Sequence, residues 1–336
     1  MASAARRAVA SYDAMQRHLY DARTGRYRES VAAPADARAW PFSQALAATI
    51  GVAGLPSSRV DADVRRSLRA LERSYRSGDV YAAWPGGDVY FDDNEWIAED
   101  LLDWSEMGGG AAPRARAAGV FAAVVRAWDA NPAHPCTGGV FWTTAASNHD
   151  RNTVTTVNAA LVGLRLYAAT GRRAYLVWSR RMLSWLDRCL LSPDGLYWDH
   201  IAIDGTIDRT EWSYNQGGAI GAFTALYETT RDPVALARAE GLADAALAAF
   251  STRWHAGEPP EFAAIFFRNL LALTAVDGRR PYLDAVESYA NWMWANARDP
   301  RTGLFSFGGP TRLLDQAAAV EIYAALARMR PLKAAR

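Results

Sequence analysis

The stretch Leu166–Gly171, which reads Leu-Tyr-Ala-Ala-Thr-Gly, ends an apolar segment at a turn of small residues. Two later stretches resemble it, Leu226–Arg231 and Leu273–Gly278. In three further apolar segments a leucine takes the same place, and the six leucines recur at intervals of 47 to 64 residues: Leu46, Leu102, Leu166, Leu226, Leu273 and Leu326. A period of this length is typical of repeated helix pairs.

Each repeat contains one amphipathic segment and one more apolar segment that we expect to be buried. The amphipathic segments are Ala2–Tyr20, Arg59–Arg76, Pro113–Ala130, Arg172–Leu191, Pro233–Phe250 and Arg280–Ala297. The apolar segments are Trp40–Ile50, Asp93–Ser105, Asn152–Ala169, Tyr214–Thr229, Glu261–Ala275 and Leu313–Ala327. No stretch alternates with period two for long enough to build a sheet. Six such pairs predict an all-α (α/α)6 barrel, a double ring in a single domain over residues 1–336. The alternative is an open solenoid of helix hairpins, but the sequence lacks polar-faced terminal repeats.

Composition narrows the class of protein. Half of the 336 residues are apolar and the formal net charge is +1, which indicates a large core and gives no electrostatic footprint for nucleic acid or an acidic membrane surface. No apolar stretch has the length of a membrane span and the first residues do not form a signal peptide, so we expect a cytoplasmic protein, or a secreted one if a leader has been removed. Only Cys136 and Cys189 are present, and we interpret them as reduced rather than as a disulfide framework or a zinc site.

Long loops lead into the apolar segments and carry Gly, Trp and Tyr beside Asp, Asn and Gln. Three of them are Tyr81–Asp92, Thr137–Asn152 and Gly195–Trp212. In a closed barrel these loops meet at one mouth, and function is generally found on long loops over a rigid scaffold. Exposed rings beside amides and carboxylates suit a sugar, because a pyranose face stacks on a ring while its hydroxyls take hydrogen bonds. The alternative is that the tryptophans anchor the loops by packing onto helix ends.

Two adjacent carboxylates lie where one of these loops turns into an apolar helix, in the stretch Tyr90–Trp96, which reads Tyr-Phe-Asp-Asp-Asn-Glu-Trp. Asp92 or Asp93 falls at or next to the helix N-cap, where unpaired N–H groups favour an ionised carboxylate. Ordinary capping is the plain interpretation of such a pair. Glu95 and Glu99 lie nearby, and their i, i+4 spacing favours capping or pairing with arginine over chemistry.

Five stretches form a combination that is more specific than any one of them. They are Tyr90–Trp96, Cys136–Trp142, Asn152–Asn158, Trp212–Gly217 and Ile265–Arg268. Together they resemble glycoside hydrolase family 76, the α-1,6-mannanase family, over nearly the whole chain. The resemblance implies an (α/α)6 barrel and a retaining hydrolase of α-1,6-linked mannosides, with Asp92 as the nucleophile and Asp93 as the acid/base. It also implies that the matching stretches contact a mannan or manno-oligosaccharide through Tyr90, Trp96, Trp142, Asn152, Tyr214, Asn215, Gln216 and Arg268.

Two abutting aspartates can divide the work of such a hydrolase. Retaining glycosidases hold their two carboxyls about 5 to 5.5 Å apart, a separation that consecutive residues at a helix start can reach. We expect the carboxyl nearer the helix N–H groups to stay ionised and act as nucleophile. Its neighbour, repelled by that charge, keeps its proton and serves as general acid.

Other functions stay open at this point. Transglycosylation would use the same covalent intermediate. A sugar epimerase on the same barrel would rely on histidines such as His200 and His255, and a non-catalytic glycan-binding protein would need the aromatic side chains but not two abutting carboxylates. The five histidines have no ligand spacing, so we expect no metal and no cofactor, and we expect a monomer.

Overall fold

A computed structural model describes residues 2–56 and 58–329 of the chain. These residues form twelve α-helices, and each predicted helix has a counterpart among them. The helices are α1 (Ala2–Leu19), α2 (Ala39–Ala53), α3 (Asp61–Ser74), α4 (Phe91–Trp104), α5 (Ala111–Arg126), α6 (Thr153–Thr170), α7 (Arg173–Cys189), α8 (Ser213–Thr230), α9 (Pro233–Phe250), α10 (Pro260–Asp277), α11 (Arg280–Asn296) and α12 (Leu313–Arg328). No helix in this described part is long and apolar enough to cross a membrane.

Short strands, which the sequence did not predict, occur in the loops. They are β1 (Tyr20–Asp21), β2 (Arg26–Tyr27), β3 (Arg76–Ser77), β4 (Val80–Tyr81), β5 (Asp150–Asn152), β6 (His200–Ala202) and β7 (Ile207–Asp208). Strands β5, β6 and β7 form one antiparallel sheet. Because each strand has only two or three residues, alternation of apolar and polar side chains could not reveal it.

The chain divides into two compact units, one formed by Met1–Arg76 with Thr252–Arg336 and the other by Ser77–Ser251. In the first unit, α12 packs against α1, α2 and α10 and is buried nearly all round. Small residues permit this packing: a Cβ on Gly51 of α2 would lie 3.1 Å from Cβ of Ala324 on α12. That the whole chain is a single domain stays a prediction.

The second unit contains three helix pairs, α4 with α5, α6 with α7, and α8 with α9. The buried member of each pair is α4, α6 or α8, and α6 packs against both of the other two. A glycine again allows two buried helices to pack closely, since a Cβ on Gly218 of α8 would lie 2.8 Å from Cγ1 of Val157 on α6. A side chain at this position would therefore push the helices apart.

A buried amide side chain at the fourth position of a buried helix holds the loop that precedes that helix, and we call this contact an amide anchor. On α4, Asn94 Oδ1 accepts a hydrogen bond from Tyr81 N at 2.7 Å, and Asn94 Nδ2 donates to Tyr81 O at 2.8 Å. On α8, Gln216 makes the same two bonds with Tyr197, at 2.8 and 2.9 Å. All four residues are buried, so these bonds satisfy loop peptide groups that water cannot reach.

The first unit contains a third amide anchor, Gln316 on α12. Its Oε1 accepts from Phe305 N at 3.0 Å, and its Nε2 donates to Ser11 O at 2.8 Å. Helix α6 carries a hydroxyl version, in which Val140 N donates to Thr156 Oγ1 at 3.0 Å. The fourth residue of a buried helix thus fixes the preceding loop in both units. From the sequence these loops were notable only for their length and their aromatic residues.

The interpretation of the two cysteines as a reduced pair is wrong. Cys136 and Cys189 form a disulfide, with their Cα atoms 6.1 Å apart. The loop around Cys136 folds back onto the C-terminal end of α7, where Trp185 Nε1 donates to Cys136 O at 2.8 Å. Because 53 residues separate the cysteines along the chain, their spacing in the sequence gave no sign of this proximity.

Replacing the amide anchor of the first unit should destabilise the protein. In Gln316→Leu the buried N–H of Phe305 loses its acceptor, so we expect the free energy of unfolding to fall by about 1 to 3 kcal/mol in a denaturant titration. Asn296→Ala is the control, since it removes an exposed amide that donates to a backbone carbonyl at 2.8 Å. Equal small losses in the two variants would contradict the role given to the anchor.

Candidate active site

The paired aspartates lie in the first turn of α4, which begins at Phe91 after the extended N-cap residue Tyr90. Asp92 and Asp93 are therefore the second and third helical residues, slightly further into the helix than the sequence suggested. Asp92 is partly exposed, whereas Asp93 is 9% exposed. The first turn of a helix presents unpaired N–H groups and a partial positive charge, which favour carboxylates at both positions.

A neighbouring loop aims an N–H group at Asp92. Phe91 N donates to Trp142 O at 2.8 Å, and Tyr90 pairs with Thr143 in an isolated antiparallel bridge. This backbone pairing brings Trp142 over the helix start, where its Nε1 donates to Asp92 Oδ1 at 3.1 Å. The Tyr90 and Trp142 rings meet edge to face, with centroids 5.0 Å apart. Trp142 remains 36% exposed, so part of its ring is open to a ligand.

The loop that carries Trp142 is fixed by covalent and ionic contacts. The disulfide of Cys136 and Cys189 ties one end of it to α7. Fully buried Arg151 donates through Nη1 to Asp129 Oδ2 at 2.7 Å. A buried charge pair of this kind is costly to break from one side, because it leaves an uncompensated charge. Trp142 therefore meets Asp92 from a loop held in one position.

Burial raises the pKa of the Asp92 carboxyl to about 6. The hydrogen bond from Trp142 and the backbone N–H groups of Asp92 and Asp93 act in the opposite direction, and the charge of Asp199 adds to the rise in pKa. A carboxyl with this pKa is about nine-tenths ionised at pH 7. Asp92 is therefore mainly ionised at neutral pH, but its pKa is higher than expected for a carboxyl next to the N–H groups of a helix start.

Asp199 is a residue of this site that sequence reasoning missed. One of its carboxylate oxygens accepts from Asn215 Nδ2 at 3.1 Å, and the other lies 2.9 Å from Nδ1 of His200. Its backbone oxygen accepts from Thr153 N at 2.8 Å, which links it to the start of α6. The signal in the sequence was an Asp next to Trp and His in a long loop, which was noted for its aromatics alone.

His200 belongs to the same group of side chains. The hydrogen bond with Asp199 is the main cause that raises the pKa of His200, and the charges of Asp150 and Asp208 add to it, while burial opposes them. Donor atoms of Asp199, His200 and Asp208 lie within 4.8 Å of one another. Asp199 already uses both oxygens in hydrogen bonds, and Asp208 Oδ1 accepts from Thr210 N at 2.8 Å. Hydrogen bonds within the protein therefore orient the carboxylates of Asp199 and Asp208.

Two residues predicted to contact the substrate are used inside the protein instead. Gln216 is fully buried, and the amide anchor occupies both ends of its side chain, with a further bond from Nε2 to Trp212 O at 3.1 Å. Trp96 is 3% exposed. It follows Asp92 by one helical turn, on a part of α4 that is already covered. In this structure neither side chain offers a surface to a sugar.

The other predicted contacts lie in different settings. Tyr90 and Tyr214 are half-buried, the latter in the first turn of α8. Asn152 is the N-cap residue of α6, and its Oδ1 accepts from Thr155 Oγ1 at 3.2 Å. Arg268 lies in the first unit, on α10, with Nη1 3.8 Å from Oε2 of Glu321. Their contact with substrate stays a prediction.

Glu95 is a buried acid one turn below Asp92. It is 1% exposed, and neither carboxyl oxygen has a hydrogen-bond partner among the described residues. The expected capping or arginine partner is therefore not found for Glu95 in this part of the chain. Burial raises the pKa of Glu95 well above its usual value, and the charges of Asp92 and Glu99 raise it further. Glu95 is thus held as a neutral acid beneath the paired aspartates.

Comparison with solved structures identifies the fold. A family 76 glycoside hydrolase from a bovine Bacteroides thetaiotaomicron strain is 21% identical, with a TM-score of 0.86 over 97% of this chain and 77% of that one. An inactive variant of an α-1,6-mannanase from Salegentibacter sp. HEL1_6, in which two consecutive aspartates are asparagines, was solved in complex with α-1,6-mannotriose. It is 20% identical, with a TM-score of 0.84 over 97% of this chain and 100% of that one. These likenesses confirm the predicted all-α (α/α)6 barrel.

Sequence comparison identifies the family. A mannan endo-1,6-alpha-mannosidase of Candida glabrata is 30% identical over 122 residues, which cover 33% of this chain and 26% of that protein. The match thus spans about a quarter of the length of that curated relative. The family model described as Glycosyl hydrolase family 76 matches residues 3–276, and the chain belongs to this family.

Replacing the buried acid should change how stability depends on pH. Since the folded protein holds Glu95 protonated, its contribution to stability is fully present below the usual Glu pKa and is lost as pH rises toward the raised value. Glu95→Gln keeps a neutral side chain at every pH. We expect its free energy of unfolding to exceed that of the wild type increasingly above pH 4.5, by up to about 1.4 kcal/mol per pH unit.

Denaturant titrations between pH 4.5 and 8 measure this difference. Glu287→Gln is the matched control, because Glu287 is 45% exposed and pairs with Arg280 on the surface of α11. Parallel stability curves for the wild type and Glu95→Gln would contradict a neutral Glu95.

Proposed function

We propose that this protein is a retaining glycosidase that cleaves α-1,6-linked mannosides of mannan. The observation that carries the proposal is the pair Asp92 and Asp93 in the first turn of α4, with Trp142 Nε1 3.1 Å from Asp92. The solved Salegentibacter mannanase supports it, since that protein is described as inactive with two consecutive aspartates replaced and is bound to α-1,6-mannotriose. Membership of glycosyl hydrolase family 76 supports the same class of reaction.

In the proposed mechanism Asp92 is the nucleophile. Its carboxylate attacks the anomeric carbon of the mannosyl unit and forms a covalent ester while the glycosidic bond breaks. Asp93 gives its proton to the departing glycosidic oxygen. Water then attacks the anomeric carbon, Asp93 takes a proton from that water, and Asp92 leaves as a carboxylate. Two displacements at the same carbon return the α configuration.

The surroundings of Asp92 fit the first of these roles. A nucleophile must be ionised when substrate binds, and a pKa of about 6 leaves Asp92 mainly anionic at neutral pH. The Trp142 N–H stabilises that anion, and as the ester forms and the charge disappears, the same bond becomes weaker. Because Glu95 is neutral, it adds no negative charge one turn below the nucleophile.

We also propose that the protein acts as a single chain in an oxidising compartment, without nucleic acid or membrane. The disulfide of Cys136 and Cys189 supports the oxidising compartment, because reducing cell compartments keep such pairs as thiols. Mass spectrometry with thiol labelling of the native protein tests the compartment. Two labelled cysteines would contradict it.

Substitution of the two aspartates tests the mechanism. Asp92→Asn should abolish turnover of every mannoside, because without an anionic nucleophile the glycosyl-enzyme does not form. Asp93→Asn should retain a measurable first step on an activated aryl α-mannoside, whose leaving group needs little protonation. Added azide should then restore part of its turnover, since this anion attacks the intermediate without help from a base.

Asp284→Asn is the matched control, because Asp284 is exposed on α11 and, among residues 2–56 and 58–329, pairs only with the neighbouring surface residue Arg280, at 2.6 Å. It should behave as the wild type. Exchange of the two phenotypes would reverse the roles of Asp92 and Asp93. Full activity of both variants on α-1,6-manno-oligosaccharides would overturn the proposal, and oligosaccharide products longer than the substrate would assign the chain to transglycosylation.

A further inference from the structure

A tryptophan at the tip of the loop before α4 has no part in the site described above. Trp84 is 40% exposed and begins the tight turn Trp84–Gly87. Gly87 N donates to Trp84 O at 2.9 Å, and Ala83 N donates to Asp88 O at 2.9 Å across the base of the turn. Gly86 has a φ of +76°, a conformation that favours glycine at the tip. Part of the indole ring at the tip is therefore open to a ligand.

The Trp84 ring is held in a fixed position by the turn itself. A Cβ placed on Gly87 would lie within 2.6 Å of Trp84 Nε1. The indole therefore lies directly on the glycine backbone, a contact that any side chain at position 87 would prevent. A ring fixed in advance loses little conformational entropy when a ligand packs against it.

The base of the loop is equally well fixed. Tyr81, Ala82 and Ala83 are buried, and the amide anchor of Asn94 holds both backbone groups of Tyr81. The turn is thus an exposed end on an otherwise buried and hydrogen-bonded segment. Motion of the turn as a whole would break contacts of α4 itself.

The return side of the turn leads straight to the paired aspartates. Val89 O accepts from Thr144 N at 3.0 Å and from Thr143 Oγ1 at 2.8 Å. The segment from Asp88 to Phe91 is therefore extended along the loop that carries Trp142. Asp88, which pairs with Ala83 at the base of the turn, is four peptide units from Asp92, so the base of the turn lies at most about 14 Å from the nucleophile, measured between Cα atoms. A polymer bound at Asp92 can reach across such a distance.

We propose that Trp84 is a stacking platform for a mannose residue of the polymer other than the one being cleaved, and so forms a further subsite. This inference rests on the proposed function. Its chemistry is contact of the apolar C–H face of a pyranose with an indole ring. Trp142 and Tyr90 contact the reacting sugar, whereas Trp84 contacts a mannose further along a longer substrate. A short substrate does not reach Trp84.

Kinetics on substrates of different length test the subsite. In Trp84→Ala we expect kcat/KM for α-1,6-manno-oligosaccharides of five or six residues to fall about ten-fold. The value for an activated aryl α-mannoside should stay within about two-fold of the wild type. Trp84→Phe, which retains an aromatic face, should lose less than Trp84→Ala on the long substrates. Calorimetry with the same oligosaccharides in the Asp92→Asn background should give the same order of affinities.

Trp178→Ala is the matched control. Trp178 is a half-buried tryptophan of α7 that packs against Trp128, with ring centroids 5.7 Å apart. Its removal should change long and short substrates equally. Equal losses on all substrates in Trp84→Ala, or no loss on any, would overturn the subsite alone. A wild-type protein that neither cleaves nor binds α-1,6-manno-oligosaccharides would overturn the proposed function and the subsite with it.

Discussion

Buried side-chain amides at the fourth position of α4, α8 and α12 fix the loops that precede these helices. Asn94 holds Tyr81 by both backbone groups, and Gln216 holds Tyr197 in the same way. Each pair of bonds satisfies one backbone N–H and one backbone C=O group, which would cost free energy if they were buried without a partner. The loop ends are therefore as fixed as the helices. These bonds fix the register of the segments that precede α4 and α8, close in the chain to Asp92 and Asp199.

Electrostatics in the second unit follow from this fixed geometry. Asp92 is surrounded by other acids, since Asp199 raises its pKa and Glu95 lies one turn below it. The protein limits the resulting repulsion in two ways. Trp142 and the N–H groups of the first turn of α4 stabilise the charge on Asp92, and burial keeps Glu95 neutral. A single ionised carboxylate at Asp92, next to a second acid at Asp93, is the arrangement that double displacement requires.

The fold could be predicted from the sequence because its signal is local and repeated. Six apolar segments, each closed by a leucine and a small-residue turn, indicated the buried helices, and the observed bounds differ by only a few residues. The adjacency of two aspartates was likewise visible along the chain. Contacts between segments that are distant in the sequence were not visible in this way. The disulfide joins cysteines 53 residues apart, and Asp199 approaches Asp92 through tertiary structure alone.

Gln216 and Trp96 illustrate a different limit of sequence reasoning. Both lie in stretches that carry the resemblance to the family, and an amide or a ring near a sugar site suggests contact with the sugar. The structure buries both side chains, since Gln216 fixes a loop through its bonds with Tyr197 and Trp96 is 3% exposed. A motif shared within a family therefore does not separate side chains that touch a ligand from those that position them. Exposure separates them, and it depends on packing that a sequence does not display.

The stereochemistry of the first product tests the central claim most directly. Proton NMR in the first minutes of the reaction on an α-1,6-manno-oligosaccharide measures the anomeric form of the newly released reducing end before it equilibrates. Double displacement through Asp92 predicts the α anomer as the first-formed product. The β anomer as first-formed product would contradict the account, because it requires direct attack by water and leaves Asp92 without a role as nucleophile.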